Sequence, residues 1–322
     1  MATNTHSRRF ILTLAAAAAF AFQAPAAVDP ALAALIPADA TIVSGVNVGH
    51  AKSSAFGRFV LSQMNVDDSG AQNFIAETGF DPRRDLNDIM VATVGATAEK
   101  TQAVILGRGV FNPSRIFSAA QSHGATVSAY LGVDVASHGD GAIAFIDASL
   151  AIAGNTKVVK AVLDQRAQNA RKLPDSVLQK MQELSAVNDV WFYSTASPAE
   201  FFGTKMADPN VGNAMKDGLM QAVLQAAGGI KFADKEARVS GEAMTRSDKD
   251  AQALADVFRF LAQIVQSNGQ GKGAANDVAA LLGKMQLTTE GSVMKVSMSI
   301  PEELLERVFT HKAPARARAS VR

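Results

Sequence analysis

The chain has 322 residues, of which 48% are apolar and 19% are charged, and its formal net charge is +1. This apolar fraction is large enough to bury a core, which excludes global disorder. A nearly neutral charge gives no electrostatic reason to expect a nucleic acid as a partner. The sequence has no cysteine, which excludes disulfides, thiol catalysis, thiolate metal sites and a lipidated cysteine.

Residues 1–26 predict a cleaved signal peptide. Arg8 and Arg9 precede an apolar run from Phe10 to Phe22, and the small residues that follow suit a signal peptidase. The run is shorter than the roughly 20 residues of a membrane-spanning helix. We therefore expect an exported protein, either periplasmic or secreted. The arginine pair also approximates a twin-arginine signal, so the general secretory and twin-arginine routes both stay open, and an uncleaved membrane anchor is the alternative.

Removal of the signal takes two positive charges away and leaves a mature chain with a net charge of −1. The mature chain has no second apolar run of about 18 residues, so we expect no transmembrane segment in it. Residues 27–40 form a lead-in, in which Asp29 and Pro30 are typical of a helix start. Two modules are predicted after it, at 41–170 and 171–310.

The two modules are predicted from a recurring unit, in which a short β-rich run leads through a proline into a helix. The β-rich runs lie at 103–107, 190–195 and 293–300, and the prolines are Pro113, Pro198 and Pro301. Proline suits the first turn of a helix because its missing N–H would be unpaired there. Internal duplication explains the recurrence, and coincidence is the alternative. The polar segment 166–188 is the expected boundary.

Other segments are identified by their apolar period. Apolar residues spaced by three and four predict helices at 158–163, 248–265 and 278–285. Alternation predicts a strand at 295–300, and 142–153 reads as two strands around a turn. Strands joined both by hairpins and by helices predict an α+β fold with mainly antiparallel sheets and helices covering one face. The residues expected to be buried or half-buried include Val104, Leu106, Trp191, Tyr193, Val296 and Met298.

No pattern in the sequence matches a catalytic or metal site. His50, His123 and His138 are scattered beside glycines, which predicts exposed turns rather than metal ligands. There is no G-x-S-x-G nucleophile motif and no P-loop, and Gly107-Arg-Gly109 is better explained by a turn than by a phosphate loop. We therefore predict no catalytic, cofactor-binding or metal-binding residues and no cofactor.

The most polar constellation is the segment 81–88. Its charged residues are Asp81, Arg83, Arg84, Asp85 and Asp88. Acids this close together can share catalytic protons or bind Ca²⁺, but the order of ligands in an EF-hand is absent. Neutralisation by the two arginines, with the acids serving as caps, is the structural alternative.

A second candidate is a methionine- and phenylalanine-rich stretch. Its apolar residues are Phe201, Phe202, Met206, Met215, Leu219 and Met220. Because methionine side chains are flexible and polarisable, such a stretch can accept a lipid or a peptide, and core packing is the alternative.

The order of motifs resembles that of exported bacterial proteins in families of unknown function. The resemblance lies in 35–40 (LIPADA), 45–48 (GVNV), 52–54 (KSS), 56–57 (FG), 79–82 (GFDP), 84–86 (RDL) and 151–154 (AIAG). It implies a duplicated α+β body and no known catalytic residues.

The leading hypothesis is a non-enzymatic envelope or secreted protein that binds a macromolecule, such as an envelope protein, or an apolar ligand. The alternatives are a hydrolase that uses the acids of segment 81–88 and a lipid carrier. The hydrolase requires two of those acids to converge in a deep pocket away from Arg83 and Arg84. The lipid carrier requires a continuous apolar cavity of several hundred Å³, roughly the size of most ligand pockets. The sequence does not indicate an oligomeric state.

The tail at 311–322 is predicted to be disordered and dispensable for folding. It has four fixed positive charges and no apolar period, so it cannot offset the cost of ordering, which is about 1–2 kcal/mol per residue. A weak attraction to anionic membranes is one possible role for these charges, and no role at all is the alternative.

Overall fold

The structure is a computed structural model that describes residues 28–62, 69–95, 102–169, 173–197, 218–268, 274–304 and 307. The predicted signal peptide, the helix predicted after Pro198 and the predicted tail lie outside these described residues. So do Phe201, Phe202, Met206 and Met215 of the second candidate.

The described strands form one twelve-stranded antiparallel sheet. They are β1 (Ala40–Asn47), β2 (Leu86–Val94), β3 (Gln102–Gly109), β4 (Thr126–Tyr130), β5 (Val133–His138), β6 (Gly141–Asp147), β7 (Leu150–Asn155), β8 (Val190–Ser194), β9 (Val223–Ala233), β10 (Glu236–Thr245), β11 (Gln286–Glu290) and β12 (Val293–Pro301). Their spatial order is β11-β12-β10-β9-β8-β1-β2-β3-β7-β6-β5-β4. The predicted α+β class with antiparallel pairing is confirmed.

The described helices are mostly short. They are α1 (Pro30–Ala33), α2 (Val48–Ser53), α3 (Ala55–Ser62), α4 (Ser69–Thr78), α5 (Pro82–Asp85), α6 (Pro113–Ser122), α7 (Thr156–Ala167), α8 (Asp175–Val187), α9 (Leu219–Ala222), α10 (Asp248–Asn268) and α11 (Ala274–Leu282). Side-chain oxygens of Asp29, Asp81 and Asn112 accept backbone N–H bonds at helix starts that are followed by proline. No helix in the described part of the chain combines the length and apolarity needed to cross a bilayer.

The two predicted modules meet in the middle of the sheet, where β1 pairs with β8. After each of these strands the chain makes two more paired strands, passes through helix, and returns with a last strand beside the third: β7 next to β3, and β12 next to β10. The expected boundary at 166–188 contains α8, whose Met181 is fully buried in the core. That the halves arose by duplication stays a prediction.

One face of the sheet, here called the core face, forms the main hydrophobic core. Its fully buried residues include Val43, Leu106 and Ile152, and they pack under α1, α7 and α8. Side chains alternate along a strand, so the intervening residues form the second face. There α6 packs on β6 and β7 through Ile116, Phe145 and Ala151, and α10 packs on β10 and β12.

Helices therefore cover both faces, where the sequence pattern favoured one. The reason lies in strands such as β6 and β7, in which buried apolar residues occupy successive positions as in Ala144-Phe145 and Ala151-Ile152. A strand that is apolar on both sides needs cover on both sides. The expected burial is confirmed: Val104, Leu106, Trp191 and Tyr193 are buried, and Val296 and Met298 are half-buried.

Candidate ligand-binding cavity

Small residues on β9 and β10 make a hollow in the second face of the sheet. Ala226 lies opposite Ala243, and Gly228 lies opposite Gly241. Because the strands are in register, these four positions share one face and form a patch with almost no side-chain volume. Ala226, Gly241 and Ala243 of this patch are the floor of a cavity of about 490 Å³, within the range of roughly 300–1,000 Å³ that holds small ligands.

Larger apolar side chains form the walls of this cavity. Helix α10 contributes Leu254 and Phe258, α9 contributes Met220, and β8 contributes Phe192. The remaining lining side chains from the strands are mostly apolar: Ile42, Val223, Met294 and Val296. The cavity thus lies between the sheet and α10.

The position of α10 follows from its sequence. Ser247 caps the helix by accepting the N–H of Asp250 at 3.2 Å. Ala251, Leu254 and Ala255 are almost fully buried, and their spacing of three and four residues places them on one side of the helix. Leu254 and Ala255 pack against β10 and β12 and hold α10 over the sheet.

The two glycines of this patch are required by close packing. A Cβ atom at Gly241 would lie 2.9 Å from Cγ1 of Val296, and one at Gly228 would lie 2.7 Å from the carbonyl oxygen of Ser240. Glycine inside a strand often marks a close approach of this kind. The hollow is therefore part of the sheet's packing.

Among its described lining residues the cavity offers no free polar side chain. The Ser194 hydroxyl donates to the Ala196 carbonyl oxygen at 3.0 Å and accepts the Ala196 N–H at 3.2 Å. The carboxylate of Glu242, whose residue borders the cavity, forms an ion pair with Lys180, which lies on the core-face side. A charged ligand group would be desolvated without compensation in such a site, so the interior suits an uncharged apolar group.

The sequence identified one residue of this cavity in advance. Met220 lines it, and Leu219 packs half-buried beside it. The floor residues were missed, although the run of small residues at 226–229 (AAGG) could have signalled them.

The acids of segment 81–88 do not converge. Asp81 forms an ion pair with Arg83 at 2.9 Å, and Asp85 forms one with Arg84 at 2.7 Å. These hydrogen bonds are the main reason that the pKa values of both carboxyl groups lie below their usual range. Asp81 also caps α5. The arginines neutralise the acids, and the geometry that a hydrolase requires is not found among these residues.

Asp88 points elsewhere. It lies on β2 opposite Arg108 of β3, and Arg108 Nε donates to Asp29 Oδ2 at 2.6 Å. Burial, together with the nearby charge of Asp29, raises the pKa of Asp88. The space beside Asp29 and Asp88 is only about 30 Å³, which is large enough for a water molecule but not for a substrate.

The substitution Asp88→Asn is expected to stabilise the fold near neutral pH, by roughly 0.5–1 kcal/mol. A carboxyl group whose pKa is raised by folding favours the folded state at low pH, and this contribution is lost as the pH rises through the raised value. The gain in the midpoint of urea unfolding should be present at pH 7 and vanish at about pH 3, where both folded and unfolded carboxyls are protonated. An equal gain at both pH values would contradict this assignment.

The histidines do not form a metal site. His50 lies in α2, not in the expected turn, and its Nδ1 is 2.8 Å from Oδ1 of Asp189. His123 Nε2 lies 3.0 Å from Glu77 Oε2, and His138 ends β5. Within the described ranges no three histidine or acidic side chains are grouped closely enough to hold a metal ion.

No protein-family model matches the chain, and no curated protein matches it in sequence. Its fold is similar to that of the protein TP0453. Crystal form III of TP0453 aligns with a TM-score of 0.53 at 13% identity, over 89% of this chain and 99% of that one. Crystal form IV aligns with a TM-score of 0.52 at 10% identity, over 86% of this chain and 96% of that one. The chain thus shares the fold of TP0453, and its membership of an exported bacterial family stays a prediction.

Proposed function

We propose that this is an exported, non-enzymatic protein that binds an apolar ligand in the cavity between α10 and the sheet. The observation that supports the proposal most directly is the cavity itself, about 490 Å³ in volume with mainly apolar side chains around it. The predicted signal peptide supports export, and export would place the protein where it meets envelope lipids. The dispersed acids of segment 81–88 remove the main argument for a hydrolase.

The lining also narrows the class of ligand. Ser194 is the only described lining residue with a hydroxyl side chain, and that hydroxyl is already hydrogen-bonded. A ligand that buried a hydroxyl or carboxyl group here would leave that group unpaired. A hydrocarbon group, such as part of an acyl chain, meets no such penalty. Met220 and Phe258 can adjust to chains of different shape, because long and aromatic side chains change rotamer more readily than backbone moves.

The test uses pyrene, a neutral fluorophore whose emission responds to the polarity around it. We expect the mature protein to bind pyrene in a saturable manner. Ala226→Leu places a larger side chain on the half-buried floor of the cavity and should weaken binding at least about ten-fold. Ala129→Leu is the matched control, because Ala129 is an exposed strand residue on β4; it should leave binding unchanged.

Two results would overturn the proposal. One is the absence of saturable pyrene binding by the wild-type protein, and the other is an unchanged affinity in a folded Ala226→Leu variant. If pyrene binding is found and Ala226→Leu weakens it, mass spectrometry of lipids that co-purify from envelope extract would identify the natural ligand. The mass of the exported chain tests the signal: cleavage after residue 26 is expected, and an intact N-terminus would contradict it.

A further inference from the structure

A groove lies on the core face of the sheet, across β9 and β10 from the apolar cavity. Its first part has a volume of about 420 Å³ and is bordered by α8, β8, β9, β10, β11 and β12. Its polar lining residues are Ser176, Gln179, Lys180, Glu183, Tyr193, Gln225, Glu242, Glu290 and Lys295. A second part of about 370 Å³ shares Glu242 and Lys295 with the first and adds Ser240, Thr288 and Ser297. We call the two parts together the polar groove.

The groove exists because the core face changes character along the sheet. Under α1, α7 and α8 it is apolar, but on β10 and β12 the same face presents Glu242 opposite Lys295 and Ser240 opposite Ser297. Alternation therefore gives these two strands an apolar second face under α10 and a polar core face beyond α8. One pair of strands thus separates an apolar cavity from a polar one.

Tyr193 indicates that the polar groove receives a ligand. The residue is only 7% exposed, and its ring belongs to the main core. Its hydroxyl makes no hydrogen bond with any described residue, yet Tyr193 lines the groove. Burial raises the pKa of this phenol, which keeps it neutral and able to donate. Among the described residues the fully buried side-chain oxygen without a partner is that of Thr93, so the Tyr193 hydroxyl reaches the groove from its buried ring and can donate to a ligand there.

The charges around the groove are already paired with one another. Lys180 Nζ lies 2.5 Å from Glu242 Oε1 and 3.7 Å from Glu183 Oε2. Lys295 Nζ lies 2.5 Å from Glu290 Oε2. An ionic ligand would have to displace one of these pairs and would meet a like charge on the other side. A neutral ligand can use the remaining protons and lone pairs of the same groups without breaking them.

We propose that the polar groove binds a neutral, hydroxyl-rich ligand, of which a saccharide unit is the representative. Sugar hydroxyls both donate and accept, which matches a lining of hydroxyl, amide, ammonium and carboxylate groups. Tyr193 is the specificity residue, since among the described polar residues of the groove it alone is almost fully buried and has a hydroxyl without a hydrogen bond. This site is separate from the apolar cavity and does not depend on it.

The test is titration of the mature protein with glucose, galactose, N-acetylglucosamine and maltose, followed by NMR shifts of the side-chain amides of Gln179 and Gln225. At least one sugar should produce saturable shifts. Tyr193→Phe removes one neutral hydrogen bond and should weaken that affinity about two- to ten-fold. Because it removes an unpaired hydroxyl, it should not lower the unfolding midpoint.

The chain supplies its own matched control. Tyr130 is its other tyrosine, and the Tyr130 hydroxyl donates to Asp164 Oδ1 at 2.8 Å. Tyr130 ends β4, the strand at the opposite edge of the sheet from β11. Tyr130→Phe should leave sugar affinity unchanged. Pyrene binding should be unaffected by Tyr193→Phe, which separates failure of this site from failure of the apolar cavity. The proposal is overturned if no sugar shifts the groove amides, if Tyr193→Phe and Glu242→Gln both keep wild-type affinity, or if spermidine or citrate binds the groove in preference to every sugar.

Discussion

Replacing Asp189 with alanine is expected to lower the free energy of unfolding by about 3 kcal/mol, near the value for removing one partner of a buried ion pair. The Asp189 side chain is 3% exposed. It accepts hydrogen bonds from Lys231 Nζ at 2.9 Å and the Phe232 N–H at 2.7 Å, and His50 Nδ1 lies 2.8 Å from its Oδ1. The variant removes the carboxylate to which the buried Phe232 N–H donates, and the loss of this bond is the main part of the expected effect.

Urea unfolding at pH 7 measures this loss, and Lys231→Met is the control. The side chain of Lys231 is 39% exposed and that of His50 is 42% exposed, so solvent screens both pairs and each is worth much less. Lys231→Met should therefore cost about 1 kcal/mol or less. Equal losses in the two variants would show that the lysine pair, and not the backbone bond, accounts for the stability that Asp189 provides.

Asp189 also shows what the sequence could not reveal. In the sequence Asp189 is one polar residue directly after the segment 166–188. Its partners are far away in the sequence, on α2 and on β9. Only the antiparallel pairing of β8 with β1 and β9 brings them together. Local patterns do not specify which strands become neighbours, so long-range polar contacts of this kind stay invisible until the sheet order is known.

Features that depend on neighbouring residues were predictable. The alternation at 295–300 gave β12, Asp29 and Pro113 mark real helix starts, and the turn within 142–153 joins β6 to β7. These signals depend on a side chain and the backbone within a few residues of it. Such signals therefore predicted helices and strands better than they predicted which faces of the sheet the helices cover. The cover of both faces by helices was missed.

The apolar cavity lies between these extremes. A cavity is missing volume, and here the volume is missing because Ala226 of β9 lies opposite Ala243 of β10, two residues from Gly241. The small residues are visible in the sequence, but their register is not, and a shift of one residue would turn them to the other face. Met220 was found because methionine is itself typical of flexible apolar surfaces. The floor residues were missed because alanine and glycine have almost no side chain and form no such pattern.

Gly45→Ala should strongly destabilise the middle of the sheet. Gly45 of β1 lies opposite Trp191 of β8, at the seam where the two predicted modules meet. A Cβ atom there would lie 2.5 Å from Trp191 Cε2 and 2.6 Å from Cζ2 and Nε1. Trp191 is 5% exposed in the main core, so the indole can move only by displacing its packed neighbours. Overpacking of this kind costs about 1–3 kcal/mol and occasionally more.

The experiment follows the emission of Trp191, which is the only tryptophan in the chain. Gly45→Ala should lower the free energy of unfolding by about 3 kcal/mol and change the folded-state emission, because the indole itself must move. Gly141→Ala is the matched control, since a Cβ atom at Gly141 of β6 meets only the His138 carbonyl oxygen at 3.6 Å. The double variant Gly45→Ala with Trp191→Phe lacks the tryptophan, so its unfolding is followed by circular dichroism. Its loss of unfolding free energy should be smaller than the sum of the two single losses, because the smaller ring relieves the clash. If the losses at Gly45 and Gly141 were equal, the seam would not depend on this contact.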